Sequence, residues 1–189
     1  MSRDLRKLPP GSVVHCVNRG NDRRPIFERT RDYEDFLRLV SWAKSRSIVR
    51  ILAYCIMPNH WHFVFWVLQQ GDVSRFLHRL TTTHAVSWRK RTHTVGDGHV
   101  YKDRFHDSRI FTETYYYNVI RYVEQNPLRA HLVHASRDWR WSSLQERLGD
   151  DRGIIEDGPA PLPLEWPRIV DAHLPDEAID EIRSSMHRY

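Results

Sequence analysis

His60-Trp61-His62 sets two imidazoles on either side of one bulky apolar residue, and the apolar run Phe63 to Trp66 follows. In an extended strand alternate side chains share a face, so the two histidines point one way and Trp61 the other. Two neutral imidazoles on one face can ligate a single divalent cation. In a helix the same spacing shares no face. Further along, Tyr122 and Asn126 lie one helical turn apart and project from the same side of a helix. A tyrosine hydroxyl can attack a phosphodiester and form a covalent phosphotyrosine, replacing one hard step with two. The free phenol has a pKa near 10, so it needs a neighbouring metal or base to act. Mg²⁺ or Mn²⁺ held by His60, His62 and the amide oxygen of Asn126 would polarise the scissile phosphate. Oxygens of phosphate and water would complete the octahedron.

Each residue also has a plainer reading. The chain has 12 histidines, and an isolated His-x-His is usually a surface pair. Tyr122 reads equally as a core tyrosine with its hydroxyl at the rim, and Asn126 as a helix C-cap before Pro127. On these residues alone both readings stand.

At 189 residues the chain has room for one domain with an appendage and for a sizeable core. No apolar run is long enough to span a membrane, and Met1 to Pro10 has no apolar leader segment. Cys16 and Cys55 each sit within an apolar run, which predicts buried thiols and a cytoplasmic protein. The net charge of +5 is unevenly spread. Residues 151–189 hold four Arg against nine Asp and Glu, leaving 25 Lys and Arg against 15 acids in the first 150. Arg-rich surface interleaved with Trp and Tyr suits phosphates and unpaired bases, as well as being ordinary solvated surface.

Taken in order, Val13–Val17 predicts a strand, and residues 18–25 a loop whose Arg19, Arg23 and Arg24 are candidates for DNA phosphates. Apolar residues at helical spacing predict a helix over 30–46. Residues 48–56 and 60–67 predict an antiparallel pair about a Met57-Pro58-Asn59 turn. Asp72 is a candidate cap for a helix over 73–91. The basic residues of that helix, with Arg75 and Arg79 as candidate DNA contacts, are expected to run alongside the histidine strand. Gly96-Asp97-Gly98 predicts a loop, Tyr101–Phe111 a fourth strand, and Tyr115–Gln125 a helix that Asn126-Pro127 ends. This order predicts an α+β fold, a ferredoxin-like βαββαβ sheet over about 10–130 with both helices on one face and an extra tyrosine-bearing helix. A last helix is predicted over Asp176–His187.

The sequence resembles the single-tyrosine HUH transposases of the IS200-like family, in particular the REP-associated tyrosine transposase branch. The stretches that carry the resemblance are His15-Cys16-Val17-Asn18-Arg19-Gly20-Asn21, Met57-Pro58-Asn59-His60-Trp61-His62, Tyr122-Val123-Glu124-Gln125-Asn126-Pro127-Leu128-Arg129-Ala130 and Trp139-Arg140-Trp141-Ser142-Ser143. It covers about residues 10–145. The resemblance implies a nuclease that recognises a small single-stranded DNA hairpin, nicks beside it and holds the 5′ end on tyrosine. His60 and His62 would match the metal histidines and Tyr122 the nucleophile. Asn126 stands where related transposases commonly carry Gln, one methylene longer. Tyr115, Tyr116 and Tyr117 are rivals for the nucleophile at the start of the same helix.

The expected arrangement is a catalytic domain over 1–145 and an acidic, proline-rich extension over 146–189. That extension either packs on the domain or lies over a basic DNA groove. The expected activity is metal-dependent cleavage and joining of single-stranded, REP-like hairpin DNA, by a monomer or homodimer, in the cytoplasm at the nucleoid. The alternative is a catalytically silent nucleic-acid-binding regulator on the same fold. An RNA-binding module would instead expose aromatic residues on its central strands, where this chain carries the histidine pair.

Overall fold

The computed structural model describes residues 8–94, 96 and 98–187. Residues 1–7, on which most of the Met1 to Pro10 expectation falls, and Asp97 of the glycine loop lie outside them. Four strands form one antiparallel sheet: β1 (Val13–Arg19), β2 (Arg50–Met57), β3 (His60–Trp66) and β4 (His106–Ile110), in the order β2-β3-β1-β4. Helices α1 (Thr30–Lys44) and α2 (Asp72–Thr92) link the strands in the ferredoxin-like pattern. Helix α3 (Glu113–Arg129) follows β4, and three short elements, α4 (Ser143–Arg147), α5 (Trp166–Val170) and α6 (Asp176–His187), complete the chain.

The alternation of β3 builds the two sides of the molecule. Trp61, Phe63 and Phe65 pack with Phe36, Val40, Phe76 and Leu80 of α1 and α2 in one core. Val64, with Val13, Ala53 and Cys55, packs with Val119, Ile120 and Val123 of α3 in the other. α1 and α2 therefore cover one face of the sheet and α3 the opposite face, on which His60 and His62 project. Cys16 and Cys55 are both buried.

Several boundaries move for identifiable reasons. The β2–β3 turn is only Pro58-Asn59, since Met57 and His60 already pair. β4 begins only at His106, and Tyr101 lies outside it. It makes an isolated bridge to Gly20, and its hydroxyl bonds His84 Nδ1 in the core at 2.7 Å. Asp72 does not cap α2: Gly71, at φ 86°, is the cap, and Asp72 is the first helical residue, paired with Arg75. Pro127 does not end α3. Its missing N–H falls in the last turn, which is held instead by Ala130 N–H to Asn126 O at 3.0 Å and Leu132 N–H to Pro127 O at 3.0 Å. Asn126 is thereby a helical residue with its side chain free to face the sheet, not a C-cap.

The C-terminal segment packs on the α3 face. Trp166, Val170 and Ile182 are buried there with Leu52, Val64 and Val123. Ile155 bridges to Ile51 at the β2 edge.

His84 is 4% exposed, stacked on Phe27, and burial lowers its pKa to about 3. The unfolded chain takes up this proton as the pH falls below about 6.5, whereas the folded chain does so only near pH 3. Stability is therefore lost progressively from about pH 6.5 down to pH 3, by up to roughly 1 kcal/mol per pH unit. His84→Phe should flatten the stability–pH slope by that amount between pH 6 and 4.5 in urea titrations. Coincident slopes would mean that the buried imidazole titrates as freely as an exposed one.

Candidate active site

One end of the α3 face forms a cavity of about 460 Å³. β1 contributes His15, Val17, Asn18 and Arg19, β3 contributes His60 and His62, and α3 contributes Tyr122. Register brings them together. Val17 pairs with both His62 and His106, and Arg19 pairs with His60, so their side chains fall in adjacent rows on one face. Gly20 is required next to Arg19: a Cβ there would run into the Arg24 carbonyl, and its N–H donates to Asn59 O at 2.7 Å.

The two histidine rings lie 4.9 Å apart. His62 is 5% exposed and His60 half-buried. Burial lowers the pKa of His60 to about 4, with the charge of Arg19 adding to the effect. His62 is pushed well below the usual histidine range, first by burial and then by His60 and His15. Both imidazoles are neutral near pH 7 and can donate a lone pair. Their Nδ1 atoms are occupied, that of His60 by Asn59 Oδ1 at 2.6 Å and that of His62 by His15 Nε2 at 2.9 Å. For His60 this settles the tautomer. Asn59 Nδ2 donates to the Arg23 carbonyl at 3.0 Å, so the amide presents its oxygen to the ring. His60 then carries its proton on Nδ1 and its lone pair on Nε2.

Asn126 closes the constellation. Its side-chain amide nitrogen lies 3.2 Å from His62 Nε2. Turning the amide over would present its oxygen at the same place. Among the described residues no set of three His, Cys, Asp or Glu is grouped to hold a metal ion. The donors for a cation are thus two neutral imidazoles and one amide oxygen, with coordination positions left for water and phosphate. That donor set fits Mg²⁺ or Mn²⁺.

Tyr122 stands over this cluster, its ring 5.9 Å from that of His62 and 6.3 Å from that of His15, both edge-on. The Arg129 guanidinium lies over the other side of the phenol at 5.3 Å. The three other tyrosines of α3 are engaged with the C-terminal segment. Tyr115 hydroxyl meets Ser185 Oγ at 3.0 Å, Tyr116 donates to Ala160 O at 3.3 Å, and Tyr117 bonds Glu113 and Pro161 O. Burial also pushes the Tyr116 phenol up to about 12.

Arg19 and Arg23 line the cavity with the histidines. Arg24 does not. It donates to His99 O at 2.7 Å and lies over Trp88. Arg75 and Arg79 are on α2, across the sheet from the histidines, where Arg79 bonds Arg46 O and Ser47. α2 cannot run alongside the histidines, because Trp61 faces α2 and its neighbours point the opposite way. Sequence reasoning passed over His15, Lys102, His106, Arg129 and Arg183. His15 had a visible signal, since it alternates with Val17 on a strand that must border β3.

The family comparison agrees with this fold. The IS200-like transposase family model matches residues 11–126, so the chain belongs to the IS200-like transposase family. The solved structure of a REP-associated tyrosine transposase bound to a REP hairpin shares the fold with a TM-score of 0.60. It is 22% identical, and the match covers 87% of this chain and 99% of that one. A Deinococcus radiodurans protein described as a transposase aligns at 14% identity and a TM-score of 0.45, covering 66% of this chain and 97% of that one. No curated protein matches the chain. No helix among the described residues is long and apolar enough to cross a membrane.

Proposed function

We propose that the protein is a metal-dependent endonuclease and strand transferase for single-stranded hairpin DNA, with Tyr122 as nucleophile and His60, His62 and Asn126 as the metal residues. The observation that carries this reading is the convergence of two neutral imidazoles and the Tyr122 ring at one cavity, with the Asn126 side chain 3.2 Å from His62. A bound Mg²⁺ or Mn²⁺ would supply charge neutralisation at the scissile phosphate. Tyr122 Oη forms the bond to phosphorus. The bond from phosphorus to the 3′ oxygen breaks, the phenolic proton is given up to solvent, and the 3′ oxygen leaves as a hydroxyl after taking a proton from solvent. The 5′ end stays on Tyr122, and the reverse reaction with another 3′ hydroxyl rejoins the strand.

Arg19 and Arg23 are assigned to the DNA backbone on the β1 side of the cavity, and Arg129 holds the phenol in place from the other. Arg24, Arg75 and Arg79 receive no role at the cleavage site. The hairpin is proposed as substrate because the 22% identical relative is bound to one.

The test is incubation with a labelled pool of single-stranded hairpins and Mn²⁺ or Mg²⁺, read as a covalent protein–DNA band on a denaturing gel. The band should vanish with EDTA and with His60→Ala, by a factor of at least about 10². A band that survives both would remove the metal from the mechanism. Hairpin binding with no band under any condition would favour the catalytically silent regulator.

A further inference from the structure

We infer that Arg183, carried by α6 of the acidic C-terminal segment, is a phosphate-binding residue on the Tyr122 side of the cavity. This rests on the single-stranded DNA substrate proposed above, and it makes α6 a wall of the binding site. Residues 151–189 hold four Arg against nine Asp and Glu, so a cation from this segment is the exception. Yet Arg183, together with Met186, lines the cavity with Tyr122, Arg19 and the histidines.

Burial fixes where α6 lies. It packs against α3 and β4, with Ile182 fully buried and Ile179 6% exposed. Ser185 Oγ meets the Tyr115 hydroxyl at 3.0 Å. Ile179, Ile182, Arg183 and Met186 follow the i, i+3, i+4, i+7 spacing of one helix face. Arg183 is therefore a cation at a position where packing alone would favour an apolar side chain, and it opens on the cavity instead of the core.

The charges point to an anion. Arg19, Arg23, Lys102 and Arg183 line the cavity, and among the described residues no Asp or Glu does. The first three come from β1 and the loops beyond the sheet, whereas Arg183 comes from the helix packed beside α3. A second guanidinium is close by, since Arg129 lies over the Tyr122 ring at 5.3 Å. Burial lowers the pKa of Arg129 and the charge of Arg183 lowers it further, against Tyr122 and Asp176, which raise it. An anion held by both guanidiniums relieves their repulsion. In the proposed reaction the phosphate joined to Tyr122 is that anion, and Arg19, Arg23 and Lys102 are left for neighbouring phosphates of the strand.

The experiment measures binding of the labelled hairpin pool to the full chain over a range of salt concentrations, in EDTA so that no metal enters the measurement. Arg183→Ala should weaken binding about 3- to 10-fold and flatten the slope of log K against log salt by about 0.7. Arg183→Lys keeps the charge and should keep the wild-type slope. Arg168→Ala removes an exposed cation of the same segment that does not line the cavity, and should change neither quantity. In the wild type, bound hairpin should protect Arg183, and not Arg168, from modification by phenylglyoxal. This readout needs no variant to fold. With Mn²⁺ present, the covalent band should fall about 10-fold in Arg183→Ala. An unchanged salt slope in Arg183→Ala, an equal loss in Arg168→Ala, an unprotected Arg183 or a stronger covalent band in Arg183→Ala would each overturn the role of Arg183. Wild type that binds no hairpin at any salt concentration would overturn the DNA reading, and this inference with it.

Discussion

Tyr122→Phe should abolish covalent attachment to hairpin DNA, a loss of at least about 10⁴ in rate, while leaving hairpin binding unchanged. The substitution removes one oxygen and nothing else. The edge contacts to His15 and His62 and the stacking under Arg129 involve the ring, which remains. Tyr115→Phe, by contrast, should leave the adduct intact, because its hydroxyl is engaged with Ser185 on α6. The pair of variants separates the two phenols, which lie about two turns apart on one helix. An adduct lost only in Tyr115→Phe would transfer the nucleophile to the start of α3. It would also require α6 to leave its place against that residue.

The second large effect is on stability. Glu124→Ala should cost about 3–5 kcal/mol and lower the melting temperature by roughly 10 °C. Glu124 is fully buried and serves three donors at once: Arg147 Nε at 2.9 Å, Ser143 Oγ at 2.5 Å and Trp166 Nε1 at 2.7 Å. Through it α3 is joined to α4 and α5, two residues along the chain from Tyr122. Truncation leaves the Arg147 charge and the Trp166 N–H in a dry interior without their acceptor. Glu124→Gln keeps an acceptor of the same shape and should cost about half as much. Thermal unfolding by circular dichroism checks both. A shift of less than about 3 °C for the Ala variant would mean that apolar packing alone holds the C-terminal segment to α3.

Much of this architecture is legible in residue order. Period-2 alternation over Trp61, Phe63 and Phe65 is a local property, and it put His60 and His62 together on one face before any fold was known. The helical turn between Tyr122 and Asn126 is equally local, as is the apolar stripe of α1. A four-stranded antiparallel sheet with α1 and α2 on one face follows from the pattern of strands and helices and is the one found. The same alternation held a further consequence: a helix packed on Trp61 must lie across the sheet from the histidines, which removes Arg75 and Arg79 from the cavity.

Other features belong to tertiary structure alone. Nothing in the chain around Pro127 announces that a proline in the last turn costs α3 little, because the compensating bonds come from Ala130 and Leu132 beyond it. The destination of the acidic C-terminal segment is invisible in composition. Charge balance suggests an electrostatic cover, whereas burial of Trp166, Val170 and Ile182 and the Glu124 hub set its position. The bond between His15 and His62 joins residues 47 apart, and it exists only because β1 pairs with β3 in the register that sets Val17 opposite His62. Sequence by itself determined which side chains share a face, since that follows from the backbone period of each element. Which faces meet depends on strand register and helix packing, and these are settled by how the whole chain buries its apolar surface at once.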